Sequence, residues 1–243
     1  MSFLSFLFQK KKSLVYIDIH SHLIPSIDDG AKDLERSISL IVSLKEMNYR
    51  KLIITPHISD MFSNSSKDIL KGYFKLKEEL IKREIDIEIE VAAEYYADKH
   101  FEELLKRGDI LSFGEKNYLL FELSYFTMPS DLESLVYDIK LAGYTPILAH
   151  PERYVYFHNT LDSYEELKEM GVLFQINLTS ISNYYSEEIT KTVKFLILNG
   201  LVDFIGTDTH HQGHIKALKK SFSNSLYRKI FKYNTILNDS ITF

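Results

Sequence analysis

No cysteine occurs among the 243 residues, which excludes disulfides, thiolate metal sites and any mechanism through a cysteine nucleophile. A reducing compartment suits such a chain. No basic run is long enough to follow a phosphate backbone and the formal net charge is −5, so general nucleic-acid binding is disfavoured. No apolar run has the length of a transmembrane helix, and no Gly/Pro/Ser-rich linker divides the chain. The first twelve residues, MSFLSFLFQKKK, are apolar and then basic, the reverse of a secretory signal. Residues 1–13 are read as an extension, either disordered or locally packed, or lying on a membrane surface with phenylalanines in the interface and lysines near anionic head groups. The expected location is cytoplasmic, with or without peripheral attachment to the inner face of the membrane.

What is present is a 45% hydrophobic composition, enough for a sizeable core. Seven β-rich runs alternate with helical patterns: Val15–Ile19, Leu52–Thr55, Ile87–Ala92, Tyr118–Phe121, Pro146–Ala149, Val172–Ile176 and Val202–Ile205. Between them lie apolar residues at helical spacing, such as Leu34, Ile38, Ile41 and Val42, or Ile69, Tyr73, Phe74 and Leu80. Asp33 and Ser66 are the expected N-caps. This alternation predicts a single α/β domain over residues 14–243, with a parallel sheet closed or nearly closed into a barrel.

Polar residues fall at the ends of these runs. His20 and His22 end the first, and their i, i+2 spacing puts both imidazoles on one side of an extended strand, where they can chelate one cation. Pro56-His57 follows the second run, Glu94 the third, Glu122 the fourth and His150 the fifth. Gln175 and Asn177 end the sixth, and Asp208 and His210 follow the seventh. In α/β barrels the carboxyl ends of the strands form one face, so nearly every unit delivers an imidazole, carboxylate or amide to one place. Mixed imidazole and carboxylate ligands suit borderline divalent ions such as Mn, Fe and Zn, and their number exceeds what one ion can use. The expectation is a site for two or three ions.

The motifs His20-x-His22, Asp28-Asp29-Gly30, Thr55-Pro56-His57, Ala93-Glu94-Tyr95-Tyr96, Phe121-Glu122, Ala149-His150-Pro151-Glu152-Arg153 and Thr207-Asp208-Thr209-His210 resemble the polymerase and histidinol phosphatase (PHP) superfamily. Within it they resemble the manganese-dependent tyrosine-protein phosphatases associated with bacterial capsule and exopolysaccharide synthesis. The resemblance runs from about Tyr16 to His210. It implies a distorted, TIM-like barrel of seven β/α units holding three metals. Carried onto this chain, His20, His22, Glu94 and Asp208 would bind the first ion. Glu94 would bridge to a second, completed by Glu122 and His150, while Asp29, His57 and His210 would hold the third. Arg153 would grip the substrate phosphate, whose oxygens match a planar guanidinium fork.

The implied activity is phosphomonoester hydrolysis with a metal-activated water, and the implied substrate is a phosphotyrosine protein, most naturally a cognate bacterial tyrosine kinase of polysaccharide synthesis. A histidinol-phosphate phosphatase is the alternative enzyme, and a metal-binding regulatory protein without turnover the alternative of another class. One departure from the resembled pattern is that the usual second phosphate-binding arginine is missing from the stretch after His210. His211, His214 and Lys216 are the residues that could supply its charge. Tyr95, Tyr96, Tyr154 and Tyr156 are read either as a cleft that stacks on an aromatic phosphoester or as structural. Asp18 is read as a ligand-orienting or a packing residue, and Asp28 as a turn residue before a ligand-orienting one.

Overall fold

A computed structural model describes residues 12–158 and 162–243. The expectations for residues 1–11 lie outside the described residues. Among the described residues nine short strands follow one another as β1 (Ile17–Asp18), β2 (Lys51–Ile54), β3 (His57–Ile58), β4 (Glu88–Val91), β5 (Glu94–Tyr96), β6 (Tyr118–Glu122), β7 (Thr145–Ala149), β8 (Leu173–Asn177) and β9 (Phe204–Gly206). All named pairings are parallel and form two sheets, β1-β2-β4 and β3-β5-β6-β7-β8-β9. Each of the seven sequence runs overlaps one strand, with bounds that differ by a residue or two; β3 and β5 are short continuations of β2 and β4 after breaks at Thr55-Pro56 and Ala92-Ala93. Pro56 has no N–H to give a ladder, yet its carbonyl accepts from Glu94 N at 3.1 Å. Backbone bonds thus carry the pairing across the break.

The two sheets are not closed into one ring by strand pairing. A single parallel bridge, Ser21 to Thr209, joins the first strand's continuation to the last, with Asp208 N donating to His20 O at 2.8 Å and His22 N to Thr209 O at 3.1 Å. Inside the sheets, Ile19, Ile53, Ala92, Leu120, Ile147 and Phe204 form one apolar cluster with Phe113, Tyr118 and Ile241. The alternate strand residues, Leu52, Ile54, Leu119, Phe121, Leu148, Phe174, Ile176 and Ile205, pack with the helices in a second, larger cluster. The period of two along a strand produces this division. Continued past the strand ends in the phase of Ile53, Ala92, Leu120 and Phe204, it turns His57, Glu94, Glu122 and Asp208 toward the inner side.

Among the described residues eight α-helices surround the sheets: α1 (Leu34–Glu46), α2 (Ser66–Lys82), α3 (Lys99–Arg107), α4 (Leu132–Leu141), α5 (Asp162–Glu169), α6 (Glu187–Leu198), α7 (Gln212–Ser221) and α8 (Ser225–Tyr233). Asp33 caps α1 as expected, its side chain accepting from Arg36 N. The cap of α2 is Ser65, one residue before the expected Ser66, because Ser65 and Asp68 form a reciprocal capping box that satisfies two otherwise orphaned donors. Of the apolar residues expected inward on α2, Ile69, Tyr73 and Leu80 are buried, whereas Phe74 is 57% exposed and Leu76 takes the inward place.

Candidate metal centre

The strand ends and their following loops converge on a cleft of about 670 Å³ lined by Asp29, His57, Glu94, Glu122, His150, Arg153, Asp208 and His210, among others. Four ligand-like groupings meet there: His22, Asp29, His57 and His210; His20, His22 and Asp208; His20, Glu94 and His150; and His57, Glu94 and Glu122. All nine residues expected as ligands are therefore brought together, with His20, His22, Glu94, Glu122, His150 and Asp208 buried. His57 stands between two groupings. Its Nδ1 is 3.2 Å from Glu94 Oε2 and 3.2 Å from Glu122 Oε1, while Nε2 is 3.6 Å from Asp29 Oδ1.

Hydrogen bonds set which ring nitrogen each imidazole offers. His20 Nδ1–H donates to Gln175 Oε1 at 2.6 Å, and His22 Nδ1–H to Asp28 Oδ2 at 2.8 Å. His210 Nδ1–H donates to the carbonyl of Asp208 at 2.9 Å. Each ring then presents Nε2 as a lone pair. The Nε2 atoms of His20 and His22 face each other at 3.1 Å, and the same atoms lie 3.1 and 3.3 Å from Glu94 Oε2. Two lone pairs and a buried carboxylate oxygen without a hydrogen-bond partner repel one another unless positive charge lies among them. The donor set therefore fits a divalent cation.

Without a metal, protons would take that place. Burial pushes the His20 imidazolium down, but the Glu94 and Asp208 carboxylates outweigh it and raise its pKa to about 9. Burial likewise opposes charge on His57, yet Glu94, Glu122 and Asp28 bring it to about 10. Burial also works against the Glu94 and Asp208 carboxylates, and the surrounding histidines nevertheless hold both well below the ordinary range.

Residues around the ligands form a support that the sequence reading saw only in part. Gln175 Nε2 donates to Asn177 Oδ1 at 2.9 Å, and Asn177 Nδ2 to Asp208 Oδ2 at 2.6 Å. With the His20 bond this makes one chain from His20 to Asp208, so the two amides orient two candidate ligands. Asp28 is both turn residue and orienter: Oδ1 accepts from Gly30 N, and Oδ2 from His22 Nδ1 and from His57 N. Asp18 accepts from Thr207 N at 2.9 Å and Thr207 Oγ1 at 2.7 Å, fixing the residue next to Asp208. His150 and Asp208 have left-handed φ values of 34° and 49°, conformations costly for non-glycine residues and concentrated at functional sites.

Arg153 lines the same cleft. Its Nη1 is 3.4 Å from Asp208 Oδ2, and its guanidinium carbon lies 4.4 Å from the Tyr125 ring centroid and 4.6 Å from that of Tyr185. His211 and His214 also line the cleft, whereas Lys216 is an exposed residue of α7 and does not. His211 Nδ1 accepts from Gly213 N and His214 Nδ1 from His210 N. Burial lowers the His214 pKa to about 4, so it brings no charge at neutral pH. Of the four tyrosines proposed for the cleft only Tyr96 lines it; Tyr95 and Tyr154 are fully buried, with hydroxyls accepting from Leu111 N and Leu123 N. Tyr156 stacks on Tyr154. Tyr125 and Tyr185, which do line the cleft, carry no motif that would have distinguished them from the other tyrosines.

A family model described as capsular polysaccharide synthesis, CpsB/CapC, matches residues 16–236. The tyrosine-protein phosphatase YwqE of Bacillus subtilis is 28% identical over 219 residues, covering 86% of this chain and 86% of the relative. The tyrosine-protein phosphatase CpsB of Streptococcus agalactiae serotype V is 31% identical over 201 residues, covering 80% and 83%. A crystal structure from work on YwqE of Bacillus subtilis and CpsB of Streptococcus pneumoniae, described as metal-dependent tyrosine phosphatases, superposes with a TM-score of 0.76 at 26% identity, over 93% of this chain and 98% of that one.

Proposed function

The chain belongs to the capsular polysaccharide synthesis CpsB/CapC family, and from that membership we propose that it is a metal-dependent tyrosine-protein phosphatase, hydrolysing phosphotyrosine on a protein substrate. The observation that carries the reading is the convergence of five histidines and four carboxylates in one cleft with Arg153 on its wall. Relatives named as tyrosine-protein phosphatases support it. The finer reading is that two or three divalent ions, Mn before Fe or Zn, are held by His20, His22, Asp29, His57, Glu94, Glu122, His150, Asp208 and His210. The substrate is then a cognate bacterial tyrosine kinase. Residues 14–243 form one phosphatase domain, a distorted (β/α)7 barrel, a reading supported by the interior cluster drawn from successive strands and by the Ser21–Thr209 bridge. No helix among the described residues is long and apolar enough to cross a membrane, and a cytoplasmic location, with or without contact with the membrane's inner face, is proposed on the sequence argument.

Divalent ions, held by the nine candidate ligands, would supply positive charge for the phosphoryl oxygens and acidity for an attacking water. The chain's own residues do the rest. Arg153 presents a planar fork to the non-bridging oxygens and stabilises the charge that develops there. Gln175 and Asp28 hold the His20 and His22 rings with Nε2 inward, and the amide of Asn177 fixes Asp208. The leaving phenolate is a weaker base than an alkoxide and so needs less help from a general acid. Initial rates with a phosphotyrosine peptide, a phosphoserine peptide and histidinol phosphate, measured with added Mn, test the proposal. Phosphotyrosine is expected to be turned over in preference to both; preference for histidinol phosphate, or no turnover of any, would overturn it.

A further inference from the structure

Among the described residues that line the cleft, Arg153 is the one lysine or arginine, and it faces the carboxylates of Asp29, Glu94, Glu122 and Asp208. A long flexible side chain in that field would be drawn onto a carboxylate and away from a phosphate. Yet its contact with Asp208 is a single long one, Nη1 to Oδ2 at 3.4 Å. What holds the guanidinium is aromatic: the Tyr125 and Tyr185 rings lie 4.4 and 4.6 Å from its central carbon. The three residues come from loops after three successive strands, β6, β7 and β8. The tyrosine hydroxyls make only long contacts of their own, Tyr125 to Glu122 Oε2 and Thr179 Oγ1 to Tyr185, each at 3.4 Å.

We propose that Tyr125 and Tyr185 are positioning residues that clamp Arg153 between their rings and present its N–H edge to the phosphoryl group. The inference rests on the phosphatase reading for the identity of the ligand, but the clamp itself is a property of the side chains. With two rings 4.4 and 4.6 Å from its central carbon, the side chain's rotamers are restricted before substrate arrives, and the N–H groups are left for hydrogen bonds. Lys216 lies outside the cleft, and the Nδ1 atoms of His211 and His214 are taken up in accepting from Gly213 N and His210 N. Aromatic confinement of one arginine takes the place of a second cation. Because the ring and not the hydroxyl does the holding, phenylalanine should serve as well as tyrosine.

The test uses Tyr185, which is not among the candidate metal ligands, in the full-length, metal-loaded chain. Tyr185→Phe is expected to stay within about twofold of wild type. Tyr185→Leu is expected to raise both KM for p-nitrophenyl phosphate and the inhibition constant of inorganic phosphate by roughly tenfold, the size of one lost cation–π contact, at unchanged metal content and melting temperature. Arg153→Ala combined with Tyr185→Leu should be no worse than Arg153→Ala alone, since the clamp acts only through the arginine. Wild-type constants for Tyr185→Leu, equal losses for the Phe and Leu variants, or additive losses in the double variant would overturn the proposal. A readout independent of turnover is the NMR signal of Arg153 Nε–H in zinc-loaded protein, identified by its loss in Arg153→Lys. Slow guanidinium rotation in wild type and faster rotation in Tyr185→Leu support the clamp; equal rotation refutes it. Absence of any phosphatase activity in wild type would overturn the phosphatase reading, and the clamp would then stand or fall on the NMR result.

Discussion

Charge and shape act together at single residues of this site, and substitutions can separate them. Arg153→Lys keeps the charge but loses the planar fork, so kcat/KM for phosphotyrosine peptide should fall by about a hundredfold while metal content, read by plasma mass spectrometry, stays at the wild-type level. Unchanged kinetics would remove the phosphate-grip role. Glu94→Gln tests the centre of the ligand set: Glu94 Oε2 faces three imidazoles and Oε1 lies 3.1 Å from His150 Nε2. A neutral amide cannot balance two cations, so metal occupancy and activity should drop together. Full occupancy with normal rate in that variant would end the bridging assignment.

The raised histidine pKa values give a pH prediction with a definite sign. In the metal-free chain His20 and His57 keep their protons until about pH 9 and about pH 10, against about 6.5 when unfolded. Their ion pairs therefore stabilise the metal-free fold fully below about pH 6.5, and that contribution is lost as pH rises through the folded values. Metal binding must expel these protons, so metal affinity should keep rising from pH 6.5 to 8.5 and binding at pH 7.5 should release protons. Calorimetry in buffers of different ionisation enthalpy measures both. A flat affinity above pH 7 would contradict the assignment.

At the scale of strands and loops, β9 is built around the absence of a side chain. A Cβ on Gly206 would come 2.8 Å from His20 Cβ and 2.7 Å from Gln175 Nε2. Gly206→Ala should therefore cost about 2 kcal/mol of stability and also weaken metal binding, by displacing His20 and its amide partner. Urea unfolding with a metal titration checks both, and wild-type values for the two would show that the strand end accommodates a methyl group there. The period of two that makes Gly206 inward-facing was also what made much of the site legible: His57, Glu94, Glu122 and Asp208 continue the interior phase of their strands. His150 was legible by motif alone, since its left-handed backbone resets the phase after Ala149. The breaks that split β2 from β3 and β4 from β5 could not be read, because Thr55-Pro56 and Ala92-Ala93 sit inside apolar runs. The Gln175–Asn177 relay was half legible: both amides were seen at a strand end, but which atoms they join depends on side-chain directions across the ends of β1, β8 and β9. The tyrosines at Arg153 depend on where three loops meet in space, which periodicity does not encode.

Over the whole molecule the chain's end holds its beginning. Buried Asn238 accepts from Ile205 N at 3.0 Å and donates to Ile17 O at 2.9 Å and Ile205 O at 2.8 Å. Asp239 Oδ1 accepts from Tyr16 N and Ile17 N. This segment, beyond the stretch that carries the motifs, thus ties β1 to β9 at the end opposite the cleft. Asn238→Ala leaves the buried Ile205 N and the partly buried Ile17 O without this partner and should destabilise the fold by about 3 kcal/mol; urea midpoints within error of wild type would show the latch to be dispensable. The architecture gathers nine candidate metal ligands beside one arginine. The measurement that tests their role most directly is a stoichiometric restoration: strip the chain of metal with chelator, add Mn back in steps, and follow bound metal and phosphotyrosine-peptide hydrolysis in the same samples. Activity absent in the stripped chain and returning in step with two or three bound ions is the expected result; full hydrolysis by a chain shown to hold no metal would contradict it.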